Sequence, residues 1–294
     1  DACQRDDLRL KALQEISNSF EEVSNTSAYH SLISNLLSAF LKIFQDTVPQ
    51  FIAENNTQQL RKLMLEIILR MACNETVKQF AKTIQAQLVR TIEAENEENA
   101  LIAMKIMAEH MRGFRLPFCQ EVSSLLSHFK SMYQDMPHHI NARRMFEQRS
   151  QINHTGTTSN SEESIIESSL QCCYTHTLVY LPESNPDGIQ SSGYSLIPRA
   201  SQSIKVLAEI PSFLLNLCQL HRHNIKNELT EFMPLIIQYV NLSIPADQRA
   251  SQIFSVSLAE EFYNSQVRAL NFLGIMAKST AFNMTEVMNR HSAS

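Results

Sequence analysis

Residues 57–136 contain four amphipathic helical patterns in succession, with only short polar stretches between them. The first pattern covers residues 58–71, and its apolar side chains recur at spacings of three and four residues: Leu60, Leu63, Met64, Ile67, Ile68 and Met71. Comparable patterns cover residues 77–92 and the segments that start at Asn99 and Pro117. No helix of this kind can bury its apolar face alone, whereas antiparallel pairs stacked in sequence can. The patterns therefore predict an all-α fold of the α-solenoid type.

Residues with capping preferences mark the expected ends of these helices. Asn56 and Thr76 each precede a glutamine by three residues, which is the spacing of a capping box at a helix start. Gly113 stands where a left-handed C-cap residue is expected, and Pro117 suits the first turn of the following helix. We therefore expect two capped starts, one glycine-capped end and one proline-marked start.

Helical patterns also cover much of the remaining chain. They are expected at 8–23, 31–44, 201–220, 229–242 and 257–278, with a last helical stub from Met284. Pro211 is expected to kink its helix, and Pro234 to lie in a first turn. First helices of successive pairs start near Leu8, Gln58 and Asn99, a spacing of roughly 40 to 50 residues that matches HEAT or armadillo repeats. The predicted fold class is an α-solenoid of HEAT-like antiparallel helix pairs, interrupted by an irregular linker.

The apolar pattern breaks near Pro137, although residues 138–151 remain compatible with a helix. A run rich in Thr, Ser, Asn and Gly follows at 153–163. We interpret the stretch up to Ser195 as irregular or disordered. The predicted organisation is helical repeats at 1–150, the linker at 151–195 and further helical repeats at 196–294. The chain starts without methionine and ends within a helical pattern, so we expect a piece of a much larger protein.

The composition argues against several classes of function. Only 5 glycines occur in 294 residues, too few for the turns and phosphate loops of an α/β enzyme. A net charge of −5 gives no electrostatic basis for binding nucleic acid or an anionic membrane. No apolar run has the length of a transmembrane helix, and the 6 scattered cysteines are typical of free thiols in a reducing compartment. We expect no cofactor and no small-molecule substrate.

Catalytic motifs are absent from the sequence, which has no dinucleotide-binding glycine pattern, P-loop, nucleophile elbow or zinc-protease motif. Cys172, Cys173 and His176 are the densest group of possible metal ligands or nucleophiles. They lack a second ligand pair at a recognisable spacing, so a zinc site or an enzyme at these residues is the less favoured alternative. We assign no catalytic, cofactor-binding or metal-binding residue.

Two other polar groups have a simple structural interpretation. His221 and His223 are two residues apart, and this spacing does not place both imidazoles on one helix face. Arg143, Arg144 and Arg149 form a small basic cluster beside the linker. We interpret this cluster as a solvated face or a partner contact, in preference to a nucleic-acid site or an import signal.

Four longer strings carry a resemblance to a known family. Residues 58–70 (QQLRKLMLEIILR) and 95–106 (ENEENALIAMKI) are similar to N-terminal helical repeats of the transformation/transcription domain-associated pseudokinases, which belong to the phosphatidylinositol 3-kinase-related family. Residues 196–211 (LIPRASQSIKVLAEIP) and 231–236 (EFMPLI) are similar to later strings of the same family, in the same order. The resemblance extends over roughly Leu8 to Met276 and is weakest in the linker.

The resemblance implies a non-enzymatic scaffold that acts in the nucleus. Members of this family are subunits of SAGA-type and NuA4/TIP60-type histone acetyltransferase complexes, and they receive the activation domains of transcription factors. Their kinase-like domain lacks catalytic residues, and the matching strings transfer no functional residue to this chain. The expected partners are transcriptional activators and subunits of the acetyltransferase complexes. The alternative within the same fold is an adaptor of nuclear transport or trafficking, which would need acidic stripes on inner helices that the sequence lacks.

Overall fold

The computed structural model describes residues 2–24, 26–153, 197–244 and 256–278. Within these ranges the chain forms the following α-helices: α1 (Ala2–Ser24), α2 (Tyr29–Asp46), α3 (Asn56–Arg70), α4 (Glu75–Ala94), α5 (Glu97–Phe114), α6 (Gln120–Asn153), α7 (Ile204–Leu220), α8 (Arg222–Val240) and α9 (Val256–Lys278). A short 3₁₀ helix, Ala200–Gln202, precedes α7. The one β-type pairing in the described ranges is an isolated antiparallel bridge between Asn96 and Arg199. The predicted all-α class is confirmed.

The helices form two layers that alternate along the chain. Helices α1, α3, α5, α7 and α9 pack in sequence as one layer, and α2, α4, α6 and α8 pack as the other. The alternation continues across residues 154–196, because α7 packs on α5 and α8 packs on α6. The architecture is thus a HEAT-like helical-repeat solenoid, as the spacing of the apolar patterns predicts. The division of the chain at 150 and 195 stays a prediction.

The buried side chains are largely those that the helical periodicity identifies. In α2 the apolar side chains that recur at helical spacing are all buried, with Ile33, Leu37 and Phe40 at the centre of this set. Aromatic rings of α6 also contact rings of the later helices. Phe129 of α6 meets Phe213 of α7 with ring centroids 5.7 Å apart. Edge contacts of this kind add stabilisation beyond the buried area.

Two helix starts lie one or two residues earlier than the capping-box spacing predicts. The side chain of Asn55, and not that of Asn56, accepts hydrogen bonds from the backbone N–H groups at the start of α3. Asn74, and not Thr76, caps α4 by accepting from the backbone N–H of Val77. The predictions were wrong because an asparagine stands just upstream of each helix, and its short amide reaches the exposed N–H groups well.

The end of α5 also differs from the prediction. Gly113 is helical, and Arg115 adopts the left-handed conformation (φ 50°) that ends α5. A Cβ at position 113 would lie 2.6 Å from the sulfur of Cys73, so a larger residue there would require the Cys73 side chain to shift. Pro117 lies in the connection after α5 and does not start α6, which begins at Gln120. The first α6 turn forms where the carbonyl of Cys119 accepts backbone hydrogen bonds.

The positions of the prolines show how far apolar periodicity can misplace a boundary. Pro211 lies inside α7, as expected, but Pro234 lies in the interior of α8 and not in its first turn. Helix α8 starts well before residue 229 because Ile225 and Leu229, four residues apart, are both fully buried. The kink at Pro211 stays a prediction, and the helical stub from Met284 lies outside the described residues.

Candidate functional site

The described residues contain no cluster that could bind a metal ion. No group of three or more His, Cys, Asp or Glu residues there could hold a metal ion. Cys172, Cys173 and His176 lie outside the described residues. None of the described helices is long and apolar enough to cross a membrane. The basic cluster at 143–149 lies on the C-terminal part of α6, where only the backbone helix is described.

The described cysteines and His221 are not activated groups. Cys73, Cys119 and Cys218 are free thiols, and burial raises the pKa of each, to about 11 at Cys218. A raised thiol pKa disfavours the reactive thiolate. Burial lowers the pKa of His221, whose ring packs edge-on against Phe118. His221 lies between α7 and α8, whereas His223 is exposed on α8.

The densest polar site is a buried ion pair between α3 and the α4–α5 connection. The guanidinium of Arg61 donates to a carboxylate oxygen of Glu95, and their side chains are only 3% and 1% exposed. It also donates to the hydroxyl of Thr47 (2.6 Å) and to the carbonyls of Thr47 (3.0 Å) and Phe44 (3.3 Å). The same group lies 4.9 Å from the centroid of the Phe44 ring. Arg61 therefore joins the end of α2 to the start of α5.

Amide side chains extend this ion pair into a network around the start of α5. The second carboxylate oxygen of Glu95 accepts from the Asn99 amide at 2.6 Å. Asn96 caps α5 through the backbone N–H of Asn99, and its amide donates to the Gln58 side chain (2.6 Å) and to the Gln50 carbonyl (2.8 Å). Because Gln58, Glu95, Asn96 and Asn99 are all buried, these bonds replace the water that the polar groups would otherwise need.

The segment that returns to the fold after residue 196 docks on this network. Three backbone hydrogen bonds attach it: Ile197 N to Phe51 O (2.8 Å), Glu97 N to Pro198 O (2.8 Å) and Ala200 N to Glu95 O (2.9 Å). The Arg199 guanidinium stacks 4.6 Å from the centroid of the Phe51 ring. The segment is thereby held in extended form against two interhelical connections.

Ser203 and Glu97 then connect α7 to α5. The hydroxyl of Ser203 accepts from the backbone N–H of Val206, which caps α7, and donates to the Glu97 carboxylate at 2.6 Å. Lys205 binds the other oxygen of the same carboxylate at 2.9 Å. The Glu97 side chain is only 6% exposed, so both partners stabilise a nearly buried charge. We name the residues Gln58, Arg61, Glu95, Asn96, Glu97, Asn99 and Ser203 the junction network.

The Ser203→Ala change should destabilise the protein more than the Asn74→Ala change. Both remove a helix N-cap, which typically costs about 1 kcal/mol. Ser203→Ala also withdraws a donor from the buried Glu97 carboxylate, which adds about 1–2 kcal/mol. Urea unfolding of the two variants should therefore differ by at least about 1 kcal/mol. Equal losses would show that the Ser203–Glu97 bond contributes nothing beyond capping.

Ion pairs also join each helix of the odd-numbered layer to the next at its surface. They are Glu21–Arg70 (α1–α3), Lys62–Glu98 (α3–α5), Glu97–Lys205 (α5–α7) and Glu209–Arg268 (α7–α9). Most of these side chains are substantially exposed, so each pair contributes little to stability. These ion pairs nevertheless favour one register of each helix relative to its neighbour.

A groove of about 260 Å³ lies on the same surface between α5 and α7, with Leu69 of α3 at its edge. Its floor is apolar and consists of Leu101, Met104, Ala108 and Phe213. Its rim is polar and consists of Lys105, Glu109, Arg112, Glu209, Ser212 and Asn216. We name this feature the α5–α7 groove. Apolar periodicity does not predict this groove, because Lys105 and Glu209 of its rim are on helices far apart in the sequence.

A second exposed apolar surface lies on α9. Tyr263, Val267 and Leu270 share one face of this helix and are 43–53% exposed. Gly274 continues the same face, and no atom lies within 4 Å of the position that its Cβ would occupy. The face is opposite to Phe262, Ala269 and the other residues that pack on α7 and α8.

His110 is a buried titratable group on α5. Its ring packs against Phe114 with centroids 5.2 Å apart, and its Nδ1 makes no hydrogen bond to any described residue. Burial lowers the pKa of His110 from 6.5 to about 4. The neutral imidazole is therefore the form that the fold accepts.

The protein should lose stability as the pH falls from about 6.5 to about 4, in part because of His110. In this window the unfolded chain binds a proton at the imidazole, whereas the folded chain does not. The His110→Leu variant removes the group while keeping an apolar side chain, so its free energy of unfolding should fall less steeply with pH. The exposed His223→Leu change is the control. Identical pH dependence in the wild type and His110→Leu would contradict the assignment.

The fold places the chain in the class of helical-repeat proteins. No protein-family model matches the chain. The chain is 38% identical over 285 residues to Transcription-associated protein 1 of Caenorhabditis elegans, and this match covers 96% of the chain and 7% of the relative. It is 33% identical over 273 residues to the Transformation/transcription domain-associated protein of Homo sapiens, covering 93% of the chain and 7% of the relative.

The similarity extends to fungi at lower identity. The SAGA complex/NuA4 acetyltransferase complex subunit TRA1 of Saccharomyces cerevisiae is 22% identical over 284 residues, covering 93% of the chain and 8% of that protein. Together these matches show that the chain belongs to the transformation/transcription domain-associated family. It corresponds to one segment of the longer proteins in that family. The chain spans only about 7% of the length of the animal relatives it matches. The family resemblance of the sequence strings is confirmed.

Three of the four strings that carry the resemblance meet in the junction network. Gln58 and Arg61 belong to the first string, Glu95 and Asn96 to the second, and Ser203 to the third. The pattern of the sequence does not predict that these residues contact one another.

Proposed function

We propose that the chain is a non-enzymatic scaffold segment of a SAGA/NuA4-type histone acetyltransferase complex subunit, acting in the nucleus. The observation that supports the proposal is the homology over 93–96% of the chain to animal proteins named for transcription. Relatives in two yeasts are named as subunits of SAGA and NuA4 acetyltransferase complexes. The partners proposed for this chain are therefore subunits of such complexes.

The scaffold acts by providing binding surfaces for partner proteins and not by catalysing a reaction. Two layers of stacked helices give an extended surface on which several partners bind at once. The raised thiol pKa values and the lack of a metal-binding cluster in the described ranges are compatible with a non-enzymatic role. The scaffold further recruits its complex to transcriptional activators through protein–protein contacts, without direct contact to nucleic acid or membrane.

A purification of the full-length parent protein tests this proposal. The tagged protein is isolated from nuclear extract, the co-purifying proteins are identified by mass spectrometry, and histone acetylation is assayed. Acetyltransferase subunits and activity are expected, and an extract without the tagged protein is the control. Transport receptors or coat proteins in the absence of acetyltransferases would contradict the proposal and favour the adaptor alternative.

A further inference from the structure

We propose that the exposed apolar face of α9 is the stacking surface for one further helix of the odd-numbered layer, contributed by the same polypeptide in the full-length protein. The face consists of Tyr263, Val267, Leu270, Gly274 and Ala277, and we name it the α9 face. The helix that covers it is amphipathic and begins after residue 294. In the 294-residue chain the α9 face stays open to water, and the inference does not depend on the proposed function.

The residues of the α9 face form one row along the helix. They follow one another at alternating spacings of four and three residues, and packed helices meet along rows of this kind. Val267 and Leu270 are 53% and 50% exposed, so the row leaves large apolar side chains in contact with water. Gly274 and Ala277 have little or no side chain, and no described residue comes within 4 Å of the position of a Cβ at Gly274. A second helix can therefore approach α9 closely at this end.

Ion pairs with α7 show which side of α9 is already occupied. Glu261 binds Lys205 at 3.7 Å, and Arg268 binds Glu209. Glu261 and Arg268 each lie two positions from a residue of the α9 face. Because a helix turns by about 100° per residue, positions two apart point to nearly opposite sides. The α9 face therefore lies on the side of α9 that is turned away from α7.

The packing of the odd-numbered layer places a helix at this position. Helix α3 lies between α1 and α5, α5 lies between α3 and α7, and α7 lies between α5 and α9. The neighbour that α9 has in this layer, among the described helices, is α7. One more helix, stacked in the same direction, would cover the α9 face as α9 covers α7.

The spacing of the helices identifies the occupant as a later part of the same polypeptide. Odd-numbered helices with no long segment between them start roughly 40 to 55 residues apart. Counted from Val256, this spacing places the next start just after residue 294. The helix predicted from Met284 stands where the sequence should contain the intervening helix of the other layer. The chain spans only about 7% of its animal relatives, so these proteins have ample sequence for a further repeat.

Helix α1 shows how an exposed row differs when it is suited to solvent. One of its rows has the same alternating spacing and carries Leu8, Lys11, Glu15, Asn18 and Glu22, all of them exposed. Four of these five residues are polar, and polar outer faces keep the end repeats of solenoids soluble. The α9 face carries no charged residue, so it is suited to packing against another helix and not to permanent contact with water.

Photo-cross-linking in the full-length parent protein, within its complex, locates the occupant. A benzophenone amino acid replaces Val267 in one variant and Leu270 in another, and cross-linked peptides are mapped by mass spectrometry. Cross-links are expected to the same polypeptide, within one repeat length (roughly 40 to 50 residues) after residue 294. The product should migrate as a monomer in a denaturing gel. The same amino acid at Lys82 is the control, because Lys82 is exposed although α4 has both of its layer neighbours.

The other outcomes of this experiment contradict the proposal. Cross-links from both positions to a different subunit would assign the α9 face to a separate partner. A cross-linked dimer of the parent protein would assign it to a second copy. Absence of any cross-link from both positions would show that the face stays open.

The Gly274→Trp variant tests the same contact by size. Since no described residue is close to this position, the indole meets no obstacle unless a helix outside the described residues covers it. In the full-length protein, limited proteolysis of the segment after Lys278 should therefore become about tenfold faster, because the next repeat is displaced. Lys82→Trp adds the same side chain to an exposed position of α4 and should change the rate less than about twofold. Cleavage of Gly274→Trp at the wild-type rate would overturn the proposal.

Discussion

The Arg61→Ala variant is expected to lose about 3–5 kcal/mol of stability, because removing one partner of a buried ion pair leaves the other charge uncompensated. Glu95 would keep the Asn99 amide but lose its only cationic partner among the described residues. The carbonyls of Phe44 and Thr47 would lose their donor as well. Urea unfolding followed by far-ultraviolet circular dichroism measures the loss. A loss of stability of this size would bring a marginally stable protein close to unfolding.

The neighbouring residue provides a matched control. Lys62 also pairs with a glutamate of α5, but the side chains of Lys62 and Glu98 are 39% and 40% exposed. Lys62→Ala is therefore expected to cost no more than about 1 kcal/mol. Similar losses in the two variants would show that burial of the Arg61–Glu95 pair does not matter, and that the junction network is not a structural centre.

The Phe129→Ala variant is expected to cost about 3–5 kcal/mol, the usual range for a fully buried aromatic residue replaced by alanine. Phe129 is fully buried on α6, where its ring contacts Phe213 of α7 edge-on. The change leaves a cavity between helices that precede and follow residues 154–196. The later helices should therefore become more sensitive to proteolysis as the global stability falls.

Two further variants make the Phe129 result interpretable. Phe129→Leu keeps most of the apolar volume and is expected to cost less than about 1.5 kcal/mol. Tyr263→Ala removes an aromatic side chain that is 43% exposed on α9, and should change stability by about 0.5 kcal/mol or less. A loss in Phe129→Ala no larger than in Tyr263→Ala would contradict the packing described for α6 and α7.

Apolar periodicity located the helices well but their ends less well. The bounds of α2 and α9 agree with the sequence prediction to within one or two residues. The caps were misplaced at α3 and α4 because several residues near each start could accept the same backbone hydrogen bonds. Asn55 and Asn74 are the residues whose backbone is extended and whose side chains accept these hydrogen bonds. Gly113 shows the same limit, because the sequence does not reveal that the Cys73 sulfur lies next to this position.

The candidate site could be predicted only in part. The strings that meet in the junction network are recognisable as family strings, but the Arg61–Glu95 and Ser203–Glu97 pairs span 34 and 106 positions of sequence. Nothing in the order of residues states that Arg61 meets Glu95, or that Glu97 meets Ser203. The α5–α7 groove is even harder to predict from the sequence, because it is a space between two helices that their side chains leave unfilled.

The sequence by itself determined the class of this protein: a two-layer helical-repeat segment of the transformation/transcription domain-associated family. Repeating apolar residues at helical spacing dictate amphipathic helices, and such helices must stack to bury their faces. The tertiary structure alone decided which polar residues became a buried junction and where the surface stayed open. Those outcomes depend on the distance and direction between residues on different helices, which periodicity within a single helix does not specify.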